Sequence, residues 1–179
     1  MMSKAVPASI FKAPDVLESK ANGSMGFFSA AREARRDEKE LGIGVWRRAN
    51  DRFSRGLDRF HQVIEGIQDD DLYNALVMMA NHLAELQDRV RAVCTSAQAQ
   101  SPSDDSDIPH RYNAVHRALS KAANDLAMTA QSAAMARLDG ERWGYASAGL
   151  ENVARRADTV GSGVAAAEAA LAEAFANNS

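Results

Sequence analysis

The sequence predicts an all-α protein: an elongated, antiparallel up-down-up-down four-helix bundle with coiled-coil-like seams and a flexible N-terminal tail. Its composition favours helix, because alanine makes up about a fifth of the 179 residues, aromatic residues are 6 % and proline occupies four positions. Alanine, leucine, glutamate and arginine are good helix formers, whereas proline interrupts helices. Apolar residues also recur at alternating intervals of three and four, which is the spacing of one buried helical face.

Residues 1–25 are predicted to be a tail, with a short helix allowed at Pro14 and Asp15. The first bundle helix is predicted over residues 27–67. Its apolar seam consists of Trp46, Ala49, Phe53, Gly56, Phe60, Val63 and Ile67. The apolar residues upstream of Gly42 lie on a different face of the same helical wheel. A kink, a break or a change of packing partner at Gly42 and Gly44 would explain this shift.

Three further helices are predicted over residues 70–99, 109–138 and 142–176, so that residues 26–179 form the bundle. Asp69, Asp70 and Asp71 suit the cap and first turn of the second helix, because carboxylates favour the positive end of the helix dipole. The stretch QSPSDDSDIP is the clearest loop, and Gly140 marks a turn. Short connections favour antiparallel neighbours, and the alanines and glycines of the last two helices favour close backbone approach.

The pattern of reactive residues argues against an enzyme, and we predict no catalytic, cofactor-binding or metal-binding residues. A di-iron bundle needs two inward-facing Glu-x-x-His pairs, whereas the nearest matches here are Asp58-x-x-His61 and Asp107-x-x-His110. Cys94 lies at the edge of a seam, where a thiol is normally inert. Gly42-x-Gly44 has neither a preceding strand nor a following Lys-Ser/Thr, so a phosphate-binding loop is not indicated.

Four arginines form the most distinctive surface feature of the sequence. Arg48, Arg52, Arg55 and Arg59, here called the arginine stripe, fall within about 60° of one another on a wheel and extend over roughly 16 Å. Asp51 and Asp58 flank this stripe, and Asp51 and Arg55 have the i,i+4 spacing of a helical ion pair. The stripe is interpreted either as a solvated face with weak ion pairs or as a docking face for an acidic partner, phosphate groups or an anionic lipid surface.

Phe27 and Phe28 are a second candidate contact site, since they open a helix whose next turns carry arginines. One interpretation is an amphipathic segment that binds a membrane or a partner, and the other is a pair that covers the end of the bundle. The six candidate partner-binding residues are therefore Arg48, Arg52, Arg55, Arg59, Phe27 and Phe28.

These features lead to three functional hypotheses. The first is a non-catalytic protein-protein interaction module (an adaptor, a scaffold or a regulatory subunit) that binds an acidic protein surface or a second copy of itself. The second is a peripheral membrane protein that binds an anionic lipid surface through Phe27, Phe28 and the arginine stripe. The third is a ligand-binding or enzymatic bundle with a site assembled from all four helices. The net charge of −3 and the lack of interleaved aromatic residues argue against nucleic acid.

A cytoplasmic location is expected from the single cysteine and from the absence of long apolar runs. The N-terminal residues also lack the apolar segment of a signal peptide.

Overall fold

The computed structural model describes residues 32, 34–143 and 147–177, and these residues are helical apart from short connections. The helices are α1 (34–41), α2 (Val45–Ile64), α3 (Asp70–Gln100), a 3₁₀ turn (His110–Tyr112), α4 (Asn113–Trp143) and α5 (Ser147–Ala176). The described ranges contain no β-strand, so the all-α prediction is confirmed. The predicted tail and the Phe27-Phe28 pair lie outside the described residues.

The chain divides into residues 1–36 and residues 37–179, and α2 to α5 belong to the second unit. No helix of the described ranges is long and apolar enough to cross a membrane. Helix α4 runs through Gly140 to Trp143, five residues past its predicted end at 138. A single glycine inside a helix costs only about 1 kcal/mol, so Gly140 does not end α4.

The predicted first helix is interrupted at Gly42–Gly44, where a break was one of three expected outcomes. Gly42 adopts a φ of 65°, in the left-handed region that favours glycine and that ends many helices. Leu41 just before it is fully buried, and α2 begins at Val45. The break lets Leu41 and the apolar seam of α2 face the same core. This accounts for the shift of the apolar face that the sequence shows at Gly42 and Gly44.

The loop after α3 covers the start of α2. The backbone N–H of Val45 donates to the Ser103 hydroxyl at 3.3 Å, and the Trp46 indole N–H donates to the Ser101 carbonyl at 3.1 Å. A Cβ at Gly44 would overlap the Ser103 carbonyl, so this position requires glycine for lack of space. The Gly-x-Gly sequence therefore accommodates another part of the chain, and the first amide of α2 is satisfied by Ser103.

Helix α3 begins as the acidic run predicted. Asp69 is its N-cap, and its carboxylate accepts a hydrogen bond from the Leu72 N–H at 2.7 Å. Asp70 and Asp71 occupy the first turn, where the helix dipole favours negative charge.

Helix α2 packs against α3 in the antiparallel direction. Near the start of α2, the Gln87 amide, in the second half of α3, donates to the buried Asn50 side chain at 2.9 Å. The short connection from Ile64 to Asp70 places the end of α2 beside the start of α3. The two helices therefore run in opposite directions.

Helix α2 also packs against α4, and these two helices are parallel. Arg52 donates to the Asn124 side chain at 2.9 Å, and about two turns before the end of α4 Arg137 donates to the Val63 carbonyl at 3.5 Å. The partners are 72 and 74 residues apart in sequence, so the register stays nearly constant along the pair.

Helix α5 completes the arrangement by packing against both α4 and α3, while α3 and α4 make few contacts with each other. It lies very close to α4, because a Cβ at Gly149 would be 2.9 Å from the Ala136 Cβ and one at Gly163 would be 3.1 Å from the Ala122 Cβ. This confirms the close approach predicted from the small residues. The order of these two contacts is reversed between the helices, so α4 and α5 are antiparallel. With α3, α5 forms the Arg89–Glu168 ion pair at 2.7 Å.

The core follows the predicted seams closely. Its largest members come from α2 and are Trp46, Phe53 and Phe60. The seam predicted for the third helix is buried at every position, namely Tyr112, Val115, Leu119, Ala122, Leu126, Thr129 and Ala133. The Thr129 hydroxyl donates to the Asp125 carbonyl at 2.8 Å. At the edges, Val63, Ile67, Met79 and Leu150 are only partly buried.

Candidate interaction surface on α2 and α4

All four residues of the arginine stripe lie exposed on α2. They occupy the side of the helix next to α4, because Gly56 on the adjoining buried side would place a Cβ 3.0 Å from Leu126. Phe27 and Phe28, the other two candidate residues, lie outside the described part of the chain.

Two residues of the stripe bind neutral groups elsewhere in the chain. Arg48 donates to the Asp105 carbonyl in the loop after α3. Arg52 donates to the Asn124 side chain on α4. Each guanidinium has five N–H donors, so both retain donors for further acceptors.

Asp51, one of the two carboxylates beside the stripe, is engaged elsewhere. Asp51 pairs with Arg47 at 3.4 Å, and Arg47 also lies 3.8 Å from Asp37. The i,i+4 pair expected between Asp51 and Arg55 is therefore replaced by one on the opposite side of Asp51. Within the described residues, no ion pair includes a member of the stripe.

The half-buried imidazole of His116 reports the positive potential next to the stripe. Burial lowers the pKa of His116, and the positive charges of Arg52 and Arg48 lower it further. Both effects disfavour a proton on the ring. An anionic group placed near these arginines would meet the opposite effect and be attracted.

The sequence analysis missed a second feature of this surface. Met128, Met135 and Leu138 on α4 expose 44 %, 56 % and 50 % of their surface, although α4 buries its opposite side in the core. Together with Asn124 and Gln131 they follow a 4-3-4-3 spacing, which places them on one helical face. This spacing was visible in the sequence, but it runs beside a longer apolar seam in the same helix.

Cys94 and His82 are two described residues whose side chains could take part in catalysis. Burial raises the pKa of the Cys94 thiol to about 12, so this residue stays protonated and unreactive. His82, half-exposed, lies 3.8 Å from Glu85. Across the described ranges, no three His, Cys, Asp or Glu side chains are grouped so that they could hold a metal ion.

Two surface pockets have no member of the arginine stripe in their lining. One of about 290 Å³ lies by the α2–α3 turn and includes Asp69, which caps α3, and Arg137, which binds the end of α2. The other, of about 370 Å³, is an open groove between α3 and α5 that includes Met78, Met79 and His82. Neither contains a nucleophile beside a base.

No protein-family model, curated protein or solved structure matches this chain. Function is therefore inferred from the geometry of the surface on α2 and α4.

Proposed function

We propose that the chain is a non-catalytic helical interaction module, acting as an adaptor, scaffold or regulatory subunit, that binds an acidic protein surface through its arginine stripe. The observation that carries this proposal is the absence of any carboxylate paired with the stripe among the described residues. Exposed arginines that form no ion pair within the described part of the chain suit planar, bidentate recognition of carboxylates.

The proposal extends to the scaffold that presents the stripe. We interpret α2 to α5 as a four-helix bundle in which chain direction alternates and α3 and α4 occupy opposite corners. The contacts of α2 and α5, each with both α3 and α4, support this arrangement. A rigid support of this kind fixes the arginines relative to one another, which reduces the entropy lost on binding.

A cytoplasmic location belongs to the same proposal. Cys94 is the one cysteine of the sequence and is buried as a free thiol, which is the ordinary condition in a reducing compartment.

Charge reversal of the stripe tests the proposed function. The double variant Arg55→Glu/Arg59→Glu should lose the proteins that co-purify with the full chain from its native host, as identified by mass spectrometry. Arg155→Glu, an exposed arginine on α5, is the matched control and should retain them. Recovery should also fall between low and high salt, because contacts between exposed charges are screened.

Two results would contradict the proposal. One is a set of co-purifying proteins that the double variant retains unchanged. The other is stripe-dependent binding to vesicles of anionic lipid with no protein partner, which would support the membrane hypothesis instead.

A further inference from the structure

We infer that the surface formed by α2 and α4 binds one acidic amphipathic helix of a partner, with the apolar side of that helix on Met128, Met135 and Leu138. This inference rests on the proposed function and specifies the partner's chemistry. The three side chains are called the apolar stripe, and together with the arginine stripe they make up the α2–α4 face.

The apolar stripe has the spacing of a surface that packs against another helix. Its residues have the three-and-four spacing by which helices pack along one another, yet in this chain no described helix covers them. Methionine is flexible and polarizable, so it adapts to the side chains of an incoming helix. Helix-in-groove recognition uses apolar anchors with this spacing.

The arginine stripe and the apolar stripe lie on one face of the molecule. The Arg52 guanidinium reaches Asn124, which belongs to the same α4 face as Met128 and Met135. The parallel register of 72 to 74 residues places Arg55 level with Met128 and Arg59 just beyond it. A ligand lying along the apolar stripe would therefore meet the arginines on its α2 side.

The side of the apolar stripe away from α2 has a different charge pattern. Asp139 is exposed about 40° beyond Met135 on a helical wheel, on the side of α4 that turns toward α5. Asp125 lies on the same side and pairs with Lys121 at 2.7 Å. The apolar stripe thus has the arginine stripe on one side, and on the other side Asp139 and a Lys121–Asp125 pair whose charges balance. A partner helix about 10 Å wide that presents carboxylates toward α2 would fit this pattern.

This charge pattern selects one occupant. An anionic bilayer would cover both sides and meet the carboxylates as well as the arginines. A second copy of the chain would bring four more arginines to a face that already has four. An acidic helix matches the α2 side and its apolar side matches the stripe, so we assign the face to that ligand.

The test uses full-length protein and a designed, labelled peptide of three heptads with leucines at three-and-four spacing and glutamates toward one flank. A peptide of the same composition with its leucines scattered around the helix is the reference. Fluorescence anisotropy should show that the amphipathic peptide binds at least tenfold more tightly than the reference.

Matched variants locate the binding. Met128→Gln/Met135→Gln should weaken binding at least fivefold, and Arg55→Gln/Arg59→Gln should weaken it and reduce its salt dependence. Met78→Gln, a methionine 74 % exposed on α3, and Arg155→Gln should leave binding unchanged. All these residues are exposed, so thermal unfolding should be nearly the same for every variant.

Other outcomes overturn the inference, and they separate it from the proposed function. Binding that needs the arginines but tolerates the methionine variants, or no peptide binding while stripe-dependent co-purification persists, removes the helix and leaves the acidic partner. Peptide binding unaffected by either pair of variants places the helix elsewhere. Binding to phosphatidylserine vesicles without peptide binding, or a dimer dissociated by Met135→Gln, identifies a lipid surface or a second copy instead.

Discussion

His116 is the residue on which the electrostatics of the α2–α4 face can be measured. Its pKa lies below the ordinary value because of burial and the charges of Arg52 and Arg48. The neutral ring is therefore favoured in the folded state. Where pH falls below the unfolded pKa of about 6.5, the unfolded chain binds the proton more readily, and this residue makes folding less favourable.

We expect Arg52→Gln to raise the pKa of His116, because removing a nearby positive charge makes protonation easier. A ¹H–¹⁵N or ¹H–¹³C NMR titration of the imidazole measures this directly. Arg155→Gln on α5 serves as the control and should leave the pKa unchanged. A His116 pKa that stays the same in Arg52→Gln would show that burial alone sets it.

The ion pair of Asp51 illustrates which residue contacts the sequence could predict. Both Arg47 and Arg55 lie four positions from Asp51, so spacing alone does not distinguish them. Arg47 also lies 3.8 Å from Asp37, in another helical segment, and helical spacing does not show this contact. Exposure of the arginines was predictable from the helical wheel, whereas the choice of Arg47 over Arg55 by Asp51 was not.

The same limit appears at the level of whole elements. Helix existence and seams were predictable, because the 3-4 spacing and the Asp69 cap are local signals. The docking of the loop after α3 on the start of α2 was not, since Ser101 and Ser103 lie 55 and 58 residues from their partners. A kink, a break or a change of packing partner was predicted at Gly44, and only the structure shows the carbonyl that excludes a side chain there.

Ser103 provides the test of that docking. Ser103→Ala removes the acceptor for the first amide of α2, and loss of a capping hydroxyl typically costs about 1 kcal/mol. We expect the free energy of unfolding in urea to fall by that amount. Ser106→Ala, at an exposed serine of the same loop, is the control and should change it little. Equal stability of both variants would show that water satisfies the Val45 amide as well as Ser103 does.

For the whole molecule, the sequence predicted four similar seams but not which of them meet. Consecutive helices alternate in direction, yet α3 and α4 make few contacts, and α2 and α4 lie side by side in parallel. Connection length could not reveal this, because the nine or so residues after α3 can reach either neighbour. The face that carries both stripes depends on this pairing, so it lay beyond prediction from periodicity alone.

Arg89 and Glu168 test the pairing of α3 with α5. The guanidinium donates to both carboxylate oxygens, at 2.8 and 2.7 Å. The hydrogen bonding of Arg89 to Glu168 lowers the pKa of the Glu168 carboxyl and raises the pKa of the Arg89 guanidinium. Because both side chains are about 40 % exposed, the pair should contribute less than about 1 kcal/mol.

Either single reversal, Arg89→Glu or Glu168→Arg, should place like charges together and lower the free energy of unfolding, and the double swap should restore most of it. The depressed pKa of Glu168 stabilises the fold above its unfolded value, and this stabilisation is lost as pH falls through the folded pKa. The coupling measured by the double-mutant cycle should therefore disappear in acid. The pair Lys121–Asp125, both within α4, is the control, since swapping it leaves the contacts between helices unchanged. If neither single reversal lowers the free energy of unfolding at neutral pH, Arg89 and Glu168 are not in contact in solution, and the pairing of α3 with α5 would have to be revised.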